Sequence, residues 1–404
     1  FLYEIERRKR QSGTPTISSS VRDSHQPKVL IAAGDGHITE VEMIKGLHRE
    51  GVDIHAALES TSPHLADLER SGVPVRTLDL RSNIDLQNIR RIRRWIKDEH
   101  FDIVHGLANR QVANFIGASY GLPNKVIAYR GAIGHVSRWD PTCYLKWLNP
   151  RIDRIVCVSR AVERDLAANG VKRDKLITIY KGHDLRWYEN LDRREARRSV
   201  NEEFGIPESA LLIGMAANMR PVKGADLLLR AMLALPDHVH ALLIGEVRDP
   251  QLQPLANDPR IRDRVHFTGF RHDAPRLIGA LDINTAPSRG REGLTKTVIE
   301  GMAQGIPAVV STAGGLPELV ADATNGYVVA INDLNDLTHR LRQLIDNPTL
   351  RSKLGRQARL DIGEQFGISK TIASTAALYR QLTRPLADHI GHGGRPASQQ
   401  KPDH

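Results

Sequence analysis

Residues 283–303 read INTAPSRGREGLTKTVIEGMA and join a short apolar segment to a helix-like segment through a glycine-rich turn. The first four residues, Ile283–Ala286, are predicted to form a buried strand, and 295–304 is predicted to form the helix that follows. A strand followed directly by a helix is the repeating unit of a parallel α/β sheet. This stretch therefore predicts an α/β fold, with its turn at the carboxyl end of a strand, where such sheets bind ligands.

The same alternation of segments continues on both sides of this unit and predicts two domains. Apolar runs that predict buried strands lie at 28–33, 52–58, 75–80, 103–105, 125–129 and 155–158, and then at 211–215, 240–244, 265–267, 283–286, 308–311 and 326–329. Segments with helical spacing lie at 39–49, 86–97, 162–168, 225–235, 274–280, 295–304, 316–321 and 334–347. This order predicts an α/β protein of two doubly wound Rossmann-like domains that face a central cleft.

Changes in composition along the chain give the domain boundaries. The charged segment 189–201 is predicted to be a helix or linker where the domains meet, which places the first domain at 27–188 and the second at 189–365. The polar ends of the chain contain too few apolar residues to offset the entropy of ordering. We therefore predict a flexible segment at 1–26 and a disordered tail at 386–404.

Composition also excludes several classes of protein. Of the 404 residues, 40% are apolar and 26% are charged, as in soluble globular proteins, and no apolar run reaches the roughly 18–20 residues of a membrane span. The two cysteines are too few for a disulfide framework and favour a reducing compartment, so we expect a cytoplasmic protein. The net charge of +10 favours phosphate-bearing ligands, but no nucleic-acid-binding motif is present, so no nucleic-acid partner is expected.

Three loops that follow predicted strands carry residues suited to binding ligands, and the first is 34–39, GDGHIT. It partly matches the glycine-rich fingerprint of dinucleotide-binding folds, with Thr39 in place of the third glycine and Glu59 near the end of the next strand. This match keeps an NAD-dependent oxidoreductase open as an alternative. A tight turn that binds no phosphate is an equally good interpretation, and the amides of the loop can also receive an anion from a ligand in the cleft.

The second loop, 218–224, reads NMRPVKG and brings two cations to the start of a helix. A helix N-terminus attracts anions, so Arg220 and Lys223 do not help to stabilise the helix there. They do suit a dianionic ligand group bound between them. We therefore predict that this loop binds a ligand rather than only solvent.

Two carboxylates, Glu292 and Glu300, frame the third loop. On one helix they would differ by about 80° around the axis and about 12 Å along it. That separation exceeds the roughly 5–9.5 Å between the paired carboxylates of glycosidases, so hydrolysis by such a pair is not expected. The spacing suits a long ligand held at two points, with the amides of Gly293, Leu294 and Thr295 available to phosphate groups.

The third loop resembles the C-terminal domain of retaining glycosyltransferases of family four, which have the GT-B fold. The resemblance lies in the Glu292-x7-Glu300 spacing, followed by Met-Ala at 302–303 and GIPAVV at 305–310. It covers roughly residues 27–385 and is strongest in the second domain. The other segments that agree are RPVKG at 220–224, GGLPELV at 314–320, Asn-Gly at 325–326, VCVS at 156–159 and KGHD at 181–184, which is similar to the family's linker motif.

The resemblance implies that the second domain binds a nucleotide-diphosphate sugar. Glu300 would contact the ribose hydroxyls, and Arg220 and Lys223 would neutralise the diphosphate leaving group. Glu292 would bind hydroxyls of the donor sugar, beside the amides of 293–295. On this reading the catalytic residues are Glu292, Lys223 and Arg220, and the donor-binding set also includes Asn218, which stands where many members of the family have an arginine.

The resemblance implies that the first domain binds the acceptor. Gly36 would approach the acceptor or a phosphate from the other side of the cleft, and His105 is a further candidate for the cleft. Arg130 stands where many members have a histidine that contacts the donor sugar, and it is a candidate for binding an acidic acceptor or a phosphate. A final helix at 366–385 would cross back onto the first domain.

We therefore expect a metal-independent retaining hexosyltransferase without a cofactor, since no Asp-x-Asp triplet is present to hold a metal-bound diphosphate. The expected partners are a nucleotide-diphosphate sugar and a bacterial cell-surface glycan or lipid-linked acceptor, the latter by analogy with the family. The basic segment 86–97 predicts a solvated helix face or, as the alternative, peripheral contact with an anionic membrane on the inner face of the plasma membrane. The alternative functions are a GT-B-like sugar-nucleotide epimerase, an NAD-dependent oxidoreductase and a binding protein without activity.

Overall fold

The structure is a computed structural model that describes residues 26–384. The predicted flexible segment 1–26, apart from Gln26, and the predicted tail 386–404 lie outside the described residues. Within the described range, none of the helices combines the length and the apolar character needed to cross a lipid bilayer.

Strands and helices alternate along the whole described range, as the apolar pattern predicts. The elements of the first half are β1 (Lys28–Gly34), α1 (Ile38–Arg49), β2 (Asp53–Leu58), α2 (Leu65–Arg70), β3 (Val75–Thr77), α3 (Leu86–Asp98), β4 (Ile103–Gly106), α4 (Asn109–Ser119), β5 (Lys125–Arg130), β6 (Arg154–Cys157), α5 (Arg160–Ala168) and β7 (Leu176–Thr178). Those of the second half are α6 (Arg193–Phe204), β8 (Leu211–Ala216), α7 (Ala225–Met232), β9 (Val239–Ile244), α8 (Leu252–Ala256), β10 (Val265–Phe267), α9 (Ala274–Gly279), β11 (Ile283–Ala286), α10 (Lys296–Ala303), β12 (Ala308–Ser311), α11 (Leu316–Leu319), β13 (Gly326–Val329), α12 (Leu334–Asp346), α13 (Pro348–Gln365) and α14 (Ile368–Thr383).

The strands form two parallel sheets, one in each half of the chain. The first has the order β3-β2-β1-β4-β5-β6-β7 and the second the order β10-β9-β8-β11-β12-β13. In each sheet the order reverses between two neighbouring strands, β1 and β4 in the first and β8 and β11 in the second. Ligands of doubly wound sheets bind beyond the carboxyl ends of the strands at this reversal point. The predicted fold class is therefore confirmed.

The strands are apolar because helices cover both faces of each sheet. Every residue of β8, β9 and β11 is buried, and separate apolar clusters pack on the two faces of each sheet. Of the predicted segment 189–201, residues 193–201 lie in α6 and residues 189–192 precede it; α6 packs against the second domain through Arg193 and Arg197.

The last helix, α14, packs on the first domain although it follows the second domain in sequence. Its residues Ile372 and Tyr379 belong to the apolar cluster around β1 and α1. The helices α14 and α1 cross at Gly46, where a Cβ atom would overlap the side chain of Ile372. The hydroxyl of Tyr379 lies 2.8 Å from Nδ1 of His105, so the helix also reaches a strand of the first sheet.

The two domains meet at close range near residues 181–184, which we call the linker. The carboxylate of Glu318 accepts hydrogen bonds from the backbone N–H groups of Arg160 and Ala161 at 2.9 and 2.7 Å, and from the hydroxyl of Tyr180 at 2.9 Å. A carboxylate of the second domain therefore caps the N-terminus of α5 in the first domain, where the helix dipole favours negative charge.

We expect Gly46→Ala to destabilise the protein. Alanine in a helix is otherwise favoured over glycine by about 0.5–1 kcal/mol, but overpacking against Ile372 costs about 1–3 kcal/mol. Thermal or denaturant unfolding measures the difference. The double variant Gly46→Ala/Ile372→Ala is the control, because it removes the clashing side chain and should show coupling between the two sites. An increase in stability in Gly46→Ala alone would contradict the packing argument.

Candidate active site

Two loops meet at the reversal point of the second sheet, because β8 and β11 are neighbours and their carboxyl ends point the same way. The loop after β8 carries Arg220 and Lys223, and the loop after β11 carries Glu292. Arg289 fixes the second loop against the first, since its guanidinium donates two hydrogen bonds of 2.7 Å to the carboxylate of Asp226. The sequence thus places all three predicted catalytic side chains on loops that the sheet topology holds together.

A cavity of about 560 Å³ lies between these loops and the first domain, and we call it the switch-point cavity. Its lining includes most of the residues that the sequence predicts for catalysis and donor binding. The complete lining is Gly131, Ala132, Ile133, Ala216, Ala217, Asn218, Arg220, Val222, Lys223, Gly290, Arg291, Glu292, Gly293, Leu294, Thr295, Lys296 and Thr297.

Glu292 and Lys223 form an ion pair at the wall of the switch-point cavity. The ammonium of Lys223 lies 2.7 Å from a carboxylate oxygen of Glu292, which is buried. Ser288 donates to the same oxygen at 2.6 Å, and Thr295 donates to the other at 2.9 Å. Four groups therefore fix one another before any ligand binds, which is the preorganisation that an electrostatic catalyst requires.

The switch-point cavity also has positive groups without a partner in the protein. Within residues 26–384, the backbone N–H groups of Gly293, Leu294 and Thr295 donate to no protein acceptor, and they precede α10. The exposed side chains of Arg220 and Arg291 form no ion pair in that range. Free amides at a helix start and unpaired guanidiniums suit an anionic ligand.

Arg291 is a cavity residue that sequence reasoning missed. It lies in the left-handed backbone region, with φ of 61°, and lines the switch-point cavity. Its position next to Glu292 in a glycine-rich turn was the only signal available in the sequence. The same turn places Glu292 before α10 rather than on it, so the helical estimate of the separation from Glu300 does not apply.

Glu300 lies on α10 and is buried, and it lines neither the switch-point cavity nor the second cavity described below. Lys296, one turn earlier, covers it, with 3.4 Å between the ammonium and the carboxylate. Burial raises the pKa of Glu300 above its ordinary value, and Lys296 opposes that shift. A ligand that reaches Glu300 must therefore displace Lys296.

The predicted residues of the first domain lie outside the switch-point cavity. Gly36 packs against side chains of its own domain. His105 is buried beside Tyr379 and faces only a cavity of about 30 Å³, room for about one water molecule. The guanidinium of Arg130 stacks on Trp147, 4.5 Å from the ring centroid, because the chain after β5 folds back over it.

A second cavity, of about 300 Å³, lies where the first domain, the linker and α10 meet, and we call it the linker pocket. It shares Gly131, Leu294 and Lys296 with the switch-point cavity, so the two spaces are adjacent. Its complete lining is His37, Thr39, Tyr129, Gly131, Val158, Lys181, His183, Leu294, Lys296 and Ile299.

One group of side chains in the described range has the composition of a metal site. His135, Asp140 and Cys143 place their ligand atoms within 4.8 Å of one another on the loop after β5. One oxygen of Asp140 accepts from Thr142 at 2.9 Å and the other lies 3.2 Å from His135, so the carboxylate is already engaged. None of these residues lines the switch-point cavity or the linker pocket.

The two facing doubly wound domains, with the cavity between them, define the GT-B class of proteins. HepE of Anabaena, solved in complex with UDP, has the same fold. It superimposes with a TM-score of 0.73 over 88% of this chain and 100% of that chain, at 18% identity.

Two family models match the chain, one in each domain. The model for glycosyltransferase family 4 matches residues 40–187, and the model for glycosyl transferases group 1 matches residues 210–347. The chain belongs to glycosyltransferase family 4.

Two relatives are just under 30% identical to the chain over the segments that match. N-acetyl-alpha-D-glucosaminyl L-malate synthase of Bacillus anthracis is 28% identical over 220 residues, which are 53% of this chain and 56% of that enzyme. The lipopolysaccharide core biosynthesis mannosyltransferase LpcC of Rhizobium leguminosarum bv. viciae is 29% identical over 250 residues, which are 60% of this chain and 68% of the relative. The match thus spans little more than half the length of the first of these relatives.

We expect Glu300→Gln to stabilise the folded protein at neutral pH. Folding raises the pKa of Glu300, so the folded state disfavours the ionised carboxylate. The free energy of unfolding therefore falls as pH rises through the raised pKa. A neutral amide removes that cost, so the gain in the thermal midpoint should grow as pH rises from the ordinary pKa of a glutamate through the raised pKa, and should then stay constant. Glu364→Gln, at an exposed position on α13, is the matched control. A lower midpoint for Glu300→Gln at every pH would show that the ion pair with Lys296 dominates instead.

Proposed function

We propose that the protein is a retaining glycosyltransferase that transfers a sugar from a nucleotide-diphosphate sugar to a cell-surface glycan or lipid-linked acceptor. The observation that carries the proposal is the fixed Lys223–Glu292 pair beside the free amides of 293–295 and the unpaired Arg220 and Arg291. Family membership supports the reaction class. The name of LpcC supports a surface-glycan acceptor, and the UDP complex of HepE supports a nucleoside diphosphate as the group bound.

The chemistry follows from where charge develops. When the bond between the anomeric carbon and the diphosphate oxygen breaks, its electron pair moves to the diphosphate. Arg220 and Lys223, with the amides before α10, are placed to stabilise that charge. The acceptor oxygen then forms the new bond on the same face through an oxocarbenium-like state, and its proton passes to the departing phosphate oxygen.

Metal independence is part of the proposal. Glu292 is the one carboxylate in the lining of the switch-point cavity, and Lys223, Ser288 and Thr295 already engage it. Divalent cations such as Mg²⁺ require several oxygen ligands, which this lining does not supply. Two arginines and two lysines of the lining provide positive charge instead.

Two alternatives make different demands on the protein. A sugar-nucleotide epimerase would use the same donor site but would need no acceptor. An NAD-dependent oxidoreductase would need the 34–39 loop, and there His37 and Glu40 already form a capping box at the start of α1. Those two side chains occupy the site that a pyrophosphate would take in a dinucleotide-binding fold.

The membrane contact predicted for α3 stays a prediction. The exposed face of this helix carries Arg90, Arg94 and Lys97.

Calorimetric titration with UDP, GDP, ADP and NAD in parallel tests the nucleotide site. We expect one nucleoside diphosphate to bind and Glu300→Gln to weaken it about 10- to 150-fold, the effect of roughly 1.5–3 kcal/mol for hydrogen bonds to a charged group. Glu364→Gln again serves as the control. An unchanged dissociation constant would remove the ribose assignment, and binding of NAD alone would favour the oxidoreductase.

We expect Lys223→Met to lower sugar transfer by about 10²- to 10³-fold, because one fixed donor to the developing negative charge is lost. The assay measures the nucleoside diphosphate released from the donor, with and without glycan and lipid-linked acceptors, which also separates transfer from epimerisation. Lys353→Met, at an exposed position on α13, is the matched control. In Lys223→Met the buried carboxylate of Glu292 loses its cation. The double variant Lys223→Met/Glu292→Gln is therefore a second test in which no buried carboxylate is left unpaired. Full activity in a folded Lys223→Met protein would overturn the role of Lys223.

A further inference from the structure

The linker pocket is lined by basic and neutral side chains only. Four of its residues are basic, His37, Lys181, His183 and Lys296, and none of the lining residues is an aspartate or glutamate. They come from three parts of the fold, namely the loop before α1, the linker and α10. A concave space with converging cations and no acid in its wall is suited to an anion.

His183 is the strongest sign that this pocket binds a ligand. Its side chain is 3% exposed, and neither ring nitrogen makes a hydrogen bond of ordinary geometry within residues 26–384, although the backbone of Lys181 lies close enough to raise the pKa of the ring. Buried polar groups in folded proteins almost always have a partner, so a histidine whose two nitrogens both lack an ordinary hydrogen bond indicates a group that binds there. The backbone of His183 is held in place by residues at the junction of the last two helices. Its N–H donates to the carbonyl of Phe366 at 2.8 Å, and its carbonyl accepts from the N–H of Ile368 at 3.0 Å.

The charges of two lysines act on both histidines of the pocket. Burial, followed by the charges of Lys296 and Lys181, lowers the pKa of His37 to about 3. Burial lowers the pKa of His183 to about 4; a hydrogen bond with the backbone of Lys181 opposes this shift, and the charges of Lys181 and Lys296 add to it. Both rings are therefore neutral at physiological pH, and each can donate one N–H to an anion.

Two carboxylates stand behind the lysines and hold part of their charge. Lys181 lies 2.8 Å from Glu40, and Lys296 lies 3.4 Å from Glu300. Neither glutamate lines the pocket, so the lysines stand between the carboxylates and the space. The ion pair with Glu40 fixes the position of Lys181. The other hydrogens of its ammonium group remain available to a ligand in the pocket.

We propose that the linker pocket binds a phosphate or carboxylate group of the acceptor, held by Lys181, Lys296 and the N–H groups of His37 and His183. The inference rests on the proposed function, because the pocket adjoins the switch-point cavity through Gly131, Leu294 and Lys296. The acceptor is accordingly an anionic molecule, and its anionic group anchors it beside the site of transfer. The remaining nitrogen of neutral His183 is free to accept a hydrogen bond from an acceptor hydroxyl.

Lys296 connects the two cavities. A ribose that reaches Glu300 displaces Lys296 from the carboxylate, and the displaced ammonium is then available to the anion in the linker pocket. Binding of the nucleoside diphosphate should therefore tighten binding of the anion. By thermodynamic linkage, the anion should tighten nucleoside diphosphate binding by the same factor.

The test is a calorimetric titration of the full chain, saturated with the nucleoside diphosphate that it binds, with inorganic phosphate in one arm and malonate in another. Saturation fills the diphosphate site, and a further anion whose affinity depends on Lys181 is assigned to the linker pocket. We expect one equivalent of phosphate or of malonate to bind, and the tighter of the two identifies the anionic group. If no nucleoside diphosphate binds, the proposed function fails, whereas binding of the diphosphate without any further anion overturns the linker-pocket proposal alone.

Substitutions in the pocket should move this affinity in opposite directions. Lys181→Met should weaken the anion about tenfold or more, as expected for the loss of one charge-assisted hydrogen bond. Glu40→Gln should tighten it, because Lys181 is released while an amide still completes the capping box at His37. His37→Asn keeps a helix cap, but its amide is shorter than the imidazole and does not reach the position of the ring N–H, so it should weaken binding. Lys370→Met, at an exposed position on α14, is the matched control. Equal affinities in all of these proteins would overturn the proposal.

Discussion

The two domains can face each other only because glycines line the seam between them. A Cβ atom at Gly293 would overlap the carbonyl oxygen of Gly131, and one at Gly315 would overlap the carbonyl oxygen of Gly293. Backbone therefore meets backbone between the residue that follows β5 in the first domain and the loop that follows β11 in the second, and the loop after β12 packs on that second loop. Both cavities border this seam, since Gly131 and Leu294 line each of them. Any side chain at Gly293 would push the domains apart and separate the donor loops from the first domain.

Around this seam the charges are arranged in two ways. Lys223 and Lys181 each have a carboxylate partner, at 2.7 and 2.8 Å, so their positions are set before a ligand arrives. Arg220 and Arg291 are exposed and form no ion pair in the described part of the chain, so they are free to follow a ligand. The fixed cations lose little order on binding, while the free arginines supply additional charge.

The sequence predicts the features that depend on neighbouring residues, namely the buried strands and the glycine-rich turns that follow them. All twelve strands expected from the apolar runs form, and the predicted loops converge because the carboxyl ends of parallel strands meet at one edge. The short edge strand β7 and the helices α2, α4, α8 and α13 were missed. β7 has only three residues, and α13 has only a weak apolar period. The contact of Arg130 with Trp147 and the burial of His183 depend on residues distant in sequence, so no local pattern indicates them. The site roles stay predictions.

The position of α14 has a consequence for how the chain acquires its structure during synthesis. Domains generally fold in order as they leave the ribosome. Here the apolar cluster around β1 and α1 includes Ile372 and Tyr379, which are made after the entire second domain. The first domain therefore emerges with one face of its sheet only partly covered, by α1 among others, and completes its core only when the last helix arrives. A chain interrupted before residue 368 would leave that face open to association with other nascent chains.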